Sequence, residues 1–225
     1  MRSKFDEQLA LLNRDLTKMG SLCEEALALA AKALANADGQ TAAKIAPIDS
    51  EIDQMERTIE SLCLKLLLQQ QPVARDLRQI SAALKMITDM ERIGDQASDI
   101  AEIIGFLNGR IGTDAQYICQ MAVAAMRMVT ESVEAYVKRD VAMAEATIQH
   151  DDVVDDLFLK VKESLIQMIS ENPKDGEYAL DLLMIAKYFE RIGDHATNIA
   201  EWVVFSVTGC LLYTSPSPRD LSTSR

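Results

Sequence analysis

The chain has 225 residues, 23 basic and 35 acidic, giving a net charge of −12. A polyanion is repelled by such a surface, so nucleic acid is excluded as a partner, and bound cations or a basic patch on another protein are favoured. No apolar run approaches the roughly 18 residues of a membrane helix, and 48% hydrophobic with 26% charged residues is globular composition, enough for one large domain or two small ones.

Only nine Gly, five Pro and 5% aromatics occur among abundant Ala, Leu, Met, Glu and Gln, which predicts an all-α fold. Apolar residues recur at steps of three and four almost throughout, and the interruptions mark the ends of helices. Breaks fall at Ala37-Asp38-Gly39, Gln71-Pro72, Asn108-Gly109-Arg110-Ile111-Gly112, Arg139-Asp140 and Asn172-Pro173. Six long helices follow, over about 4–36, 41–70, 74–107, 114–138, 141–171 and 176–207. Pro47 should kink the second or mark its late start.

Residues 91–102 read ERIGDQASDIAE and residues 190–201 read ERIGDHATNIAE, nine identities in twelve at an offset of 99. A weaker echo at offset 102 pairs Asp38 with Asp140, Asp49 with Asp151, Ile52 with Val154, Asp53 with Asp155 and Met55 with Leu157. Each half therefore carries three helices in matching order, and the economical architecture is two pseudo-symmetric antiparallel three-helix bundles. The first bundle is assigned to 1–109 and the second to 110–209. Residues 210–225, CLLYTSPSPRDLSTSR, break the pattern with two Pro and four Ser and read as a non-native tail, a read-through that replaces the true C-terminus.

At 100° per residue, Glu91, Asp95, Asp99 and Glu102 lie at roughly 0°, 40°, 80° and 20° around their helix, while Ile93, Ala97, Ile100 and Ile104 cluster near 200°. The carboxylates form a line pointing away from the core. The second copy keeps Glu190, Asp194 and Glu201 but has Asn198 in place of Asp99. On the preceding helix Asp49, Asp53, Glu56 and Glu60 make a second acidic stripe, whose repeat keeps Asp151 and Asp155 but has Phe158 and Lys162 in place of the two glutamates.

Like charges at i and i+4 destabilise a helix by a few tenths of a kcal/mol per pair, and neighbouring helices add to that. A hard cation held by oxygen alone, Mg, Ca, Mn or Fe, would relieve the repulsion. Arg92 and Arg191 are the rival neutralisers, and a solvated helical face is the bland alternative. Repetition of ERIGD and of the paired aspartates favours the cation. So do Gly94 and Gly193, because a mid-helix glycine costs about 1 kcal/mol against Ala and asks for a reason such as close helix approach.

Catalytic constellations are absent from the sequence. His150 and His195 are the only histidines, and neither belongs to an E-x-x-H pair, a phosphate loop or a nucleophile motif. His195 matches Gln96 in the other half and is assigned a hydrogen-bonded structural role, and Trp202, opposite Ile103, reads as packing or as a contact between bundles. Met121, Met126, Met128 and Met143 read as core filler. Cys23, Cys63 and Cys119 read as small buried hydrophobes, with neither zinc spacing nor a disulfide framework. The opening MRSKFDEQLALLNRDL has no apolar signal core, which points to reducing cytoplasm.

The two ERIGD-x-A helices, the paired D-x-x-x-D helices and the stretches PVARDLRQISAALKMITDMERIGDQASDIAE and AKYFERIGDHATNIAE closely resemble the PhoU family over about residues 4–209. The resemblance implies two three-helix bundles, often dimeric, with multinuclear metal clusters on the bundle surface. Carried over by position, the first cluster would use Asp49, Asp53, Glu91 and Asp95, and the second Asp151, Asp155, Glu190 and Asp194, with Asp99 and Asn198 as further candidates. The ions would be divalent or trivalent, Mg, Mn or Fe.

It also implies a non-enzymatic role in the cytoplasm. The family acts as a negative regulator of the phosphate (Pho) regulon, an adaptor between the phosphate ABC transporter ATPase (PstB-like) and a sensor histidine kinase (PhoR-like), reaching the membrane only through these partners. Competing classes are a carboxylate-bridged metal storage or redox protein, which the lack of histidine ligands disfavours, and a helical scaffold with empty acidic faces. A regulatory domain split from a sodium-phosphate cotransporter is a related reading.

Overall fold

A computed structural model describes residues 2–69, 73–107, 109–110 and 115–210. Six long helices dominate: α1 (Arg2–Asn36), α3 (Ile45–Gln69), α4 (Ala74–Phe106), α5 (Gln116–Lys138), α7 (Asp151–Glu171) and α8 (Gly176–Thr208). Two short ones, α2 (Gly39–Ala42) and α6 (Val141–Gln149), precede α3 and α7, and a 3-10 turn over Pro173–Asp175 leads into α8. No strand occurs among the described residues. The expected boundary at 109/110 adjoins residues 108 and 111–114, which lie outside them, as does the tail beyond Cys210.

The weak offset of 102 between the halves is plain in the backbone. Ala37 and Arg139 both take left-handed conformations (φ 53° and 56°) after α1 and α5. The next amide in each case reaches back across the last turn, from Asp38 to the Ala33 carbonyl at 3.0 Å and from Asp140 to that of Ala135 at 2.9 Å. Asp38 and Asp140 then cap the short helices, accepting from the Gln40 amide at 2.9 Å and the Met143 amide at 3.0 Å. Each half thus turns the same corner with the same chemistry.

Pro47 marks the late start expected of it: a short α2 ends at Ala42 and α3 starts at Ile45, so Pro47 falls in the first turn, where its missing N–H has no intrahelical acceptor to lose. One helix expectation needs correction. The fifth predicted helix is interrupted at His150, whose amide bonds the Ala146 and Thr147 carbonyls at 3.1 Å each. His150 keeps helical dihedrals (φ −69°, ψ −14°), so the apolar period runs through the break and conceals it.

Helices α1, α3 and α4 pack as one bundle and α5, α7 and α8 as the other, joined where α4 lies on α8 and α1 on α5. Leu16, Met19, Leu27, Ile52, Ile59, Met86, Ile93, Ile185, Phe189 and Ile192 are fully buried in a core that continues from one bundle into the next. Burial of each contributes on the order of 1.5–3 kcal/mol. Met121 and Met128 are buried in it, while Met126 and Met143 pack on its margin. Cys23 and Cys63 are buried as expected, but Cys119 is only half covered.

The α4–α8 junction is reciprocal. Asp89 of α4 meets His195 Nδ1 at 2.8 Å and accepts from Asn198 Nδ2 at 3.1 Å. On the other side of the junction Tyr188 faces Asp99, and burial followed by the Asp99 carboxylate holds its hydroxyl above its ordinary pKa. Positions 89 and 188, like 99 and 198, are 99 residues apart, so each contact is the other's image under the repeat. The structural role expected for His195 is realised here. Trp202 packs edge-on against Phe205, ring centroids 5.6 Å apart.

Candidate metal centre

On the first bundle, α3 and α4 bring their acidic stripes together. One carboxylate oxygen from each of Asp49, Asp53 and Asp95 lies within 4.8 Å of the others. Oxygens on opposite sides of a Mg, Mn or Ca ion are separated by about 4–5 Å, so this spacing suits one shared hard cation. Asp49 is the innermost of the three: its Oδ2 accepts from Ser98 Oγ at 2.9 Å, while its Oδ1 is buried without a hydrogen-bond partner among the described residues. Such an orphaned carboxylate oxygen is costly unless something positive completes it.

The glycine of ERIGD makes this approach feasible. A Cβ on Gly94 would stand 2.7 Å from Asp49 Oδ1 and 3.0 Å from Ile52 Cδ1. The second copy repeats the arrangement more loosely, with a Cβ on Gly193 reaching 3.2 Å from Asp151 Oδ1. The close approach expected for these glycines is therefore made by the backbone of one helix against an aspartate of the next.

Electrostatics report the crowding. Burial, then the charges of Asp95, Asp53 and Asp99, push the Asp49 carboxyl up against the opposing pull of the Ser98 hydrogen bond. Glu91 is raised by burial and by Asp95, with Glu56 and Asp53 adding to it and Arg92 opposing. Glu91 thus borders the group without joining the triad of oxygens. On the second bundle burial, Asp194, Asp155 and Glu190 push Asp151 up to about 6. Asp155 and Asp194 are likewise raised, burial first and Glu190 next in each. Asp155 and Glu190 are therefore neighbours across α7 and α8.

Internal counter-charges differ between the faces. Arg92 pairs with Asp95 at 3.0 Å and with Glu91 at 3.5 Å, and Arg57 with Asp53 at 3.2 Å. Both arginines are largely exposed, and pairs of that kind are worth about 0–1 kcal/mol. On the second face the partner is Lys187, whose ammonium pairs with Glu190, in place of the expected Arg191. Lys187 escaped the sequence reading because it lies outside the duplicated ERIGD string, where its counterpart is Thr88.

Of the further ligand candidates, Asn198 donates to Asp89 at the bundle junction, while Asp99 stands between Tyr188 across that junction and Asp49 of its own face, whose carboxyl its charge helps to raise. Ser98 also went unnoticed. Its counterpart Thr197 is buried with an unpaired hydroxyl, and the signal available was a small hydroxyl residue repeated three positions after the aspartate of ERIGD.

Comparison with known proteins agrees with this architecture. The PhoU domain model matches residues 16–104 and 118–203, one copy per bundle. The chain is 36% identical over 210 residues to the phosphate-specific transport system accessory protein PhoU homolog of Clostridium acetobutylicum, covering 92% of this chain and 96% of that one. It is 34% identical over 208 residues to the homolog of Pseudomonas aeruginosa, covering 92% and 86%. The crystal structure of PhoU from Pseudomonas aeruginosa superposes with a TM-score of 0.88 at 34% identity over 92% of this chain and all 100% of that one. The phosphate transport system regulatory protein PhoU from Streptococcus pneumoniae superposes with a TM-score of 0.84 at 26% identity, covering 93% and 99%. Since a family model spans both bundles and the solved members share their arrangement, this chain belongs to the PhoU family.

Proposed function

We propose that this protein is a non-catalytic regulator of phosphate transport that represses the phosphate regulon when phosphate is plentiful. It works in the cytoplasm as a homodimeric adaptor, contacting the ATPase of the phosphate ABC transporter and a sensor histidine kinase, and it restrains uptake. Support for the regulatory role comes from its relatives, described as phosphate-specific transport accessory and regulatory proteins. No helix of the described residues is long and apolar enough to cross a membrane, in keeping with a protein that reaches the membrane through its partners.

The observation that carries the cation part of this reading is the Asp49, Asp53 and Asp95 triad with its orphaned oxygen. Asp49, Asp53, Glu91 and Asp95 would hold a divalent or trivalent ion, Mg, Mn or Fe, on the first face, and Asp151, Asp155, Glu190 and Asp194 on the second. When bound, the ion supplies positive charge that ties α3 to α4, or α7 to α8. The protein's own residues do the rest. Ser98 orients Asp49, Gly94 admits it, and the reciprocal junction fixes α4 against α8.

Deletion of the gene tests the regulatory reading. Phosphate-starvation genes should stay on in phosphate-rich medium, and a plasmid copy should restore repression. Normal repression in the deletion strain refutes it.

A further inference from the structure

The two acidic faces descend from one motif, but their surroundings have parted. Where the first face has Glu56 and Glu60, the second has Phe158 and Lys162. Where the first has Thr88, one turn before its ERIGD glutamate, the second has Lys187. The Lys187 ammonium sits on Glu190 and lies 5.5 Å from the centre of the Phe158 ring, which the Lys162 ammonium approaches to 5.0 Å from its own position. An aromatic face attracts both cations. The divergence has therefore replaced two negative charges by a ring and a positive charge, and has added a second positive charge on Glu190.

Counter-ions on the first face are of another kind. Arg92 and Arg57 reach their carboxylates from solvent, with side chains 57% and 66% exposed. They leave the inward Asp49 Oδ1 without a partner. Glu190, by contrast, is 15% exposed and already paired. Asp152 and Asp156, which also act on Asp151 and Asp155, stand where the first face has Ser50 and Gln54, so the second face is not short of negative charge. Both faces carry cations on ligand carboxylates; what separates them is that Lys187, less exposed than either arginine and set against the Phe158 ring, sits on the well-covered Glu190. Among the described residues only the first face offers three ligand oxygens within reach of a single ion.

We propose that Lys187 is a built-in counter-ion of the second face, so that the two faces bind divalent cations unequally: the first fills first, and the second fills only as Lys187 is displaced from Glu190. Lys187 is thus a specificity-determining residue for cation loading, and the molecule has a half-loaded state. This inference rests on the cation reading of the acidic faces.

The test is titration of the full-length, cation-free protein with Mn2+, followed by calorimetry and by the electron paramagnetic resonance signal of free Mn2+, both of which count sites and rank affinities without any activity. Wild type should show two separable classes, and Asp53→Asn should abolish the tighter one. Lys187→Thr and Lys187→Met, which remove the ammonium at a partly exposed position, should tighten the weaker class by about tenfold or more and leave the tighter one unchanged. Lys187→Arg, which keeps the charge, should tighten neither. Two indistinguishable classes in wild type, loss of the tighter class in Asp155→Asn, or neutral variants that leave the weaker class unaltered would overturn the role of Lys187 while the cation reading stands. Absence of Mn2+ binding in wild type would overturn the cation reading, and this inference with it.

Discussion

The three alanine substitutions Gly94→Ala, Gly193→Ala and Gly105→Ala form a graded test of the helix approach beneath the acidic faces. All three glycines are helical, so alanine brings the same kind of propensity gain, about 1 kcal/mol in mid-helix and about 0.5 kcal/mol near an end. At Gly105, one residue from the end of α4, nothing lies within 4 Å of the new Cβ, and the gain should appear undiminished. At Gly193 the Cβ meets Asp151 Oδ1 at 3.2 Å and Val154 Cγ1 at 3.5 Å, which asks for a shift of a few tenths of an ångström and should offset the gain. At Gly94 it meets Asp49 Oδ1 at 2.7 Å and Ile52 Cδ1 at 3.0 Å, side-chain ends that must both shift. Because Ser98 holds Asp49 and Ile52 is fully buried, the overpacking costs about 1–3 kcal/mol. The expected order is Gly105→Ala about 0.5 kcal/mol above wild type, Gly193→Ala level with it and Gly94→Ala about 1 kcal/mol below. Urea unfolding in the presence of EDTA measures the differences directly, and each kcal/mol corresponds to about 2–4 °C in Tm for a chain of this size. If Gly94→Ala proves as stable as Gly105→Ala, the close approach assigned to ERIGD is wrong.

The cation-free protein should become more stable as the pH falls from 7.5 to 5. Asp151 is raised from 3.8 to about 6 by burial and its acidic neighbours, so its protonated form is favoured by folding. That stabilisation is fully present below 3.8 and lost as the pH rises through about 6. After discounting for solvent screening of half-exposed carboxylates the gain is on the order of 1 kcal/mol, and a melting temperature in EDTA that is flat or falling over this interval contradicts it. Ala37→Gly should stabilise the chain by up to about 1 kcal/mol, because Ala37 takes a left-handed conformation (φ 53°) natural to glycine. A destabilised variant in the same denaturation assay would show that the packing of the half-buried Ala37 methyl outweighs the backbone gain.

Helix ends were legible wherever a residue has only one comfortable use. Asp38, Asp140 and Asn172 each cap the element that follows, and all three lie at predicted breaks. The division at His150 was hidden because no glycine or proline marks it and the apolar period continues through it. The acidic faces were legible through duplication: ERIGD names Glu91, Asp95, Glu190 and Asp194, and the weaker echo names the four aspartates opposite. Helical angles place carboxylates on a stripe but say nothing of which partner a flexible side chain selects. The pairing of Lys187 with Glu190, and the diversion of Asn198 to the bundle junction, depend on how α7 and α8 rotate against their neighbours. That rotation is a property of packing across the whole core.

The reciprocal junction has a consequence for the molecule's descent. Position 89 meeting 198 while 188 meets 99 is the contact that two identical single-bundle chains would make across a twofold axis. In such an ancestor, each place had to serve both sides at once with one residue type. A single polypeptide holding both bundles is free of that constraint, and this one sets Asp89 opposite Asn198 on one side and Tyr188 opposite Asp99 on the other. The junction is thus symmetric in position but not in chemistry, and the two sides of the molecule differ where the repeat alone would make them alike.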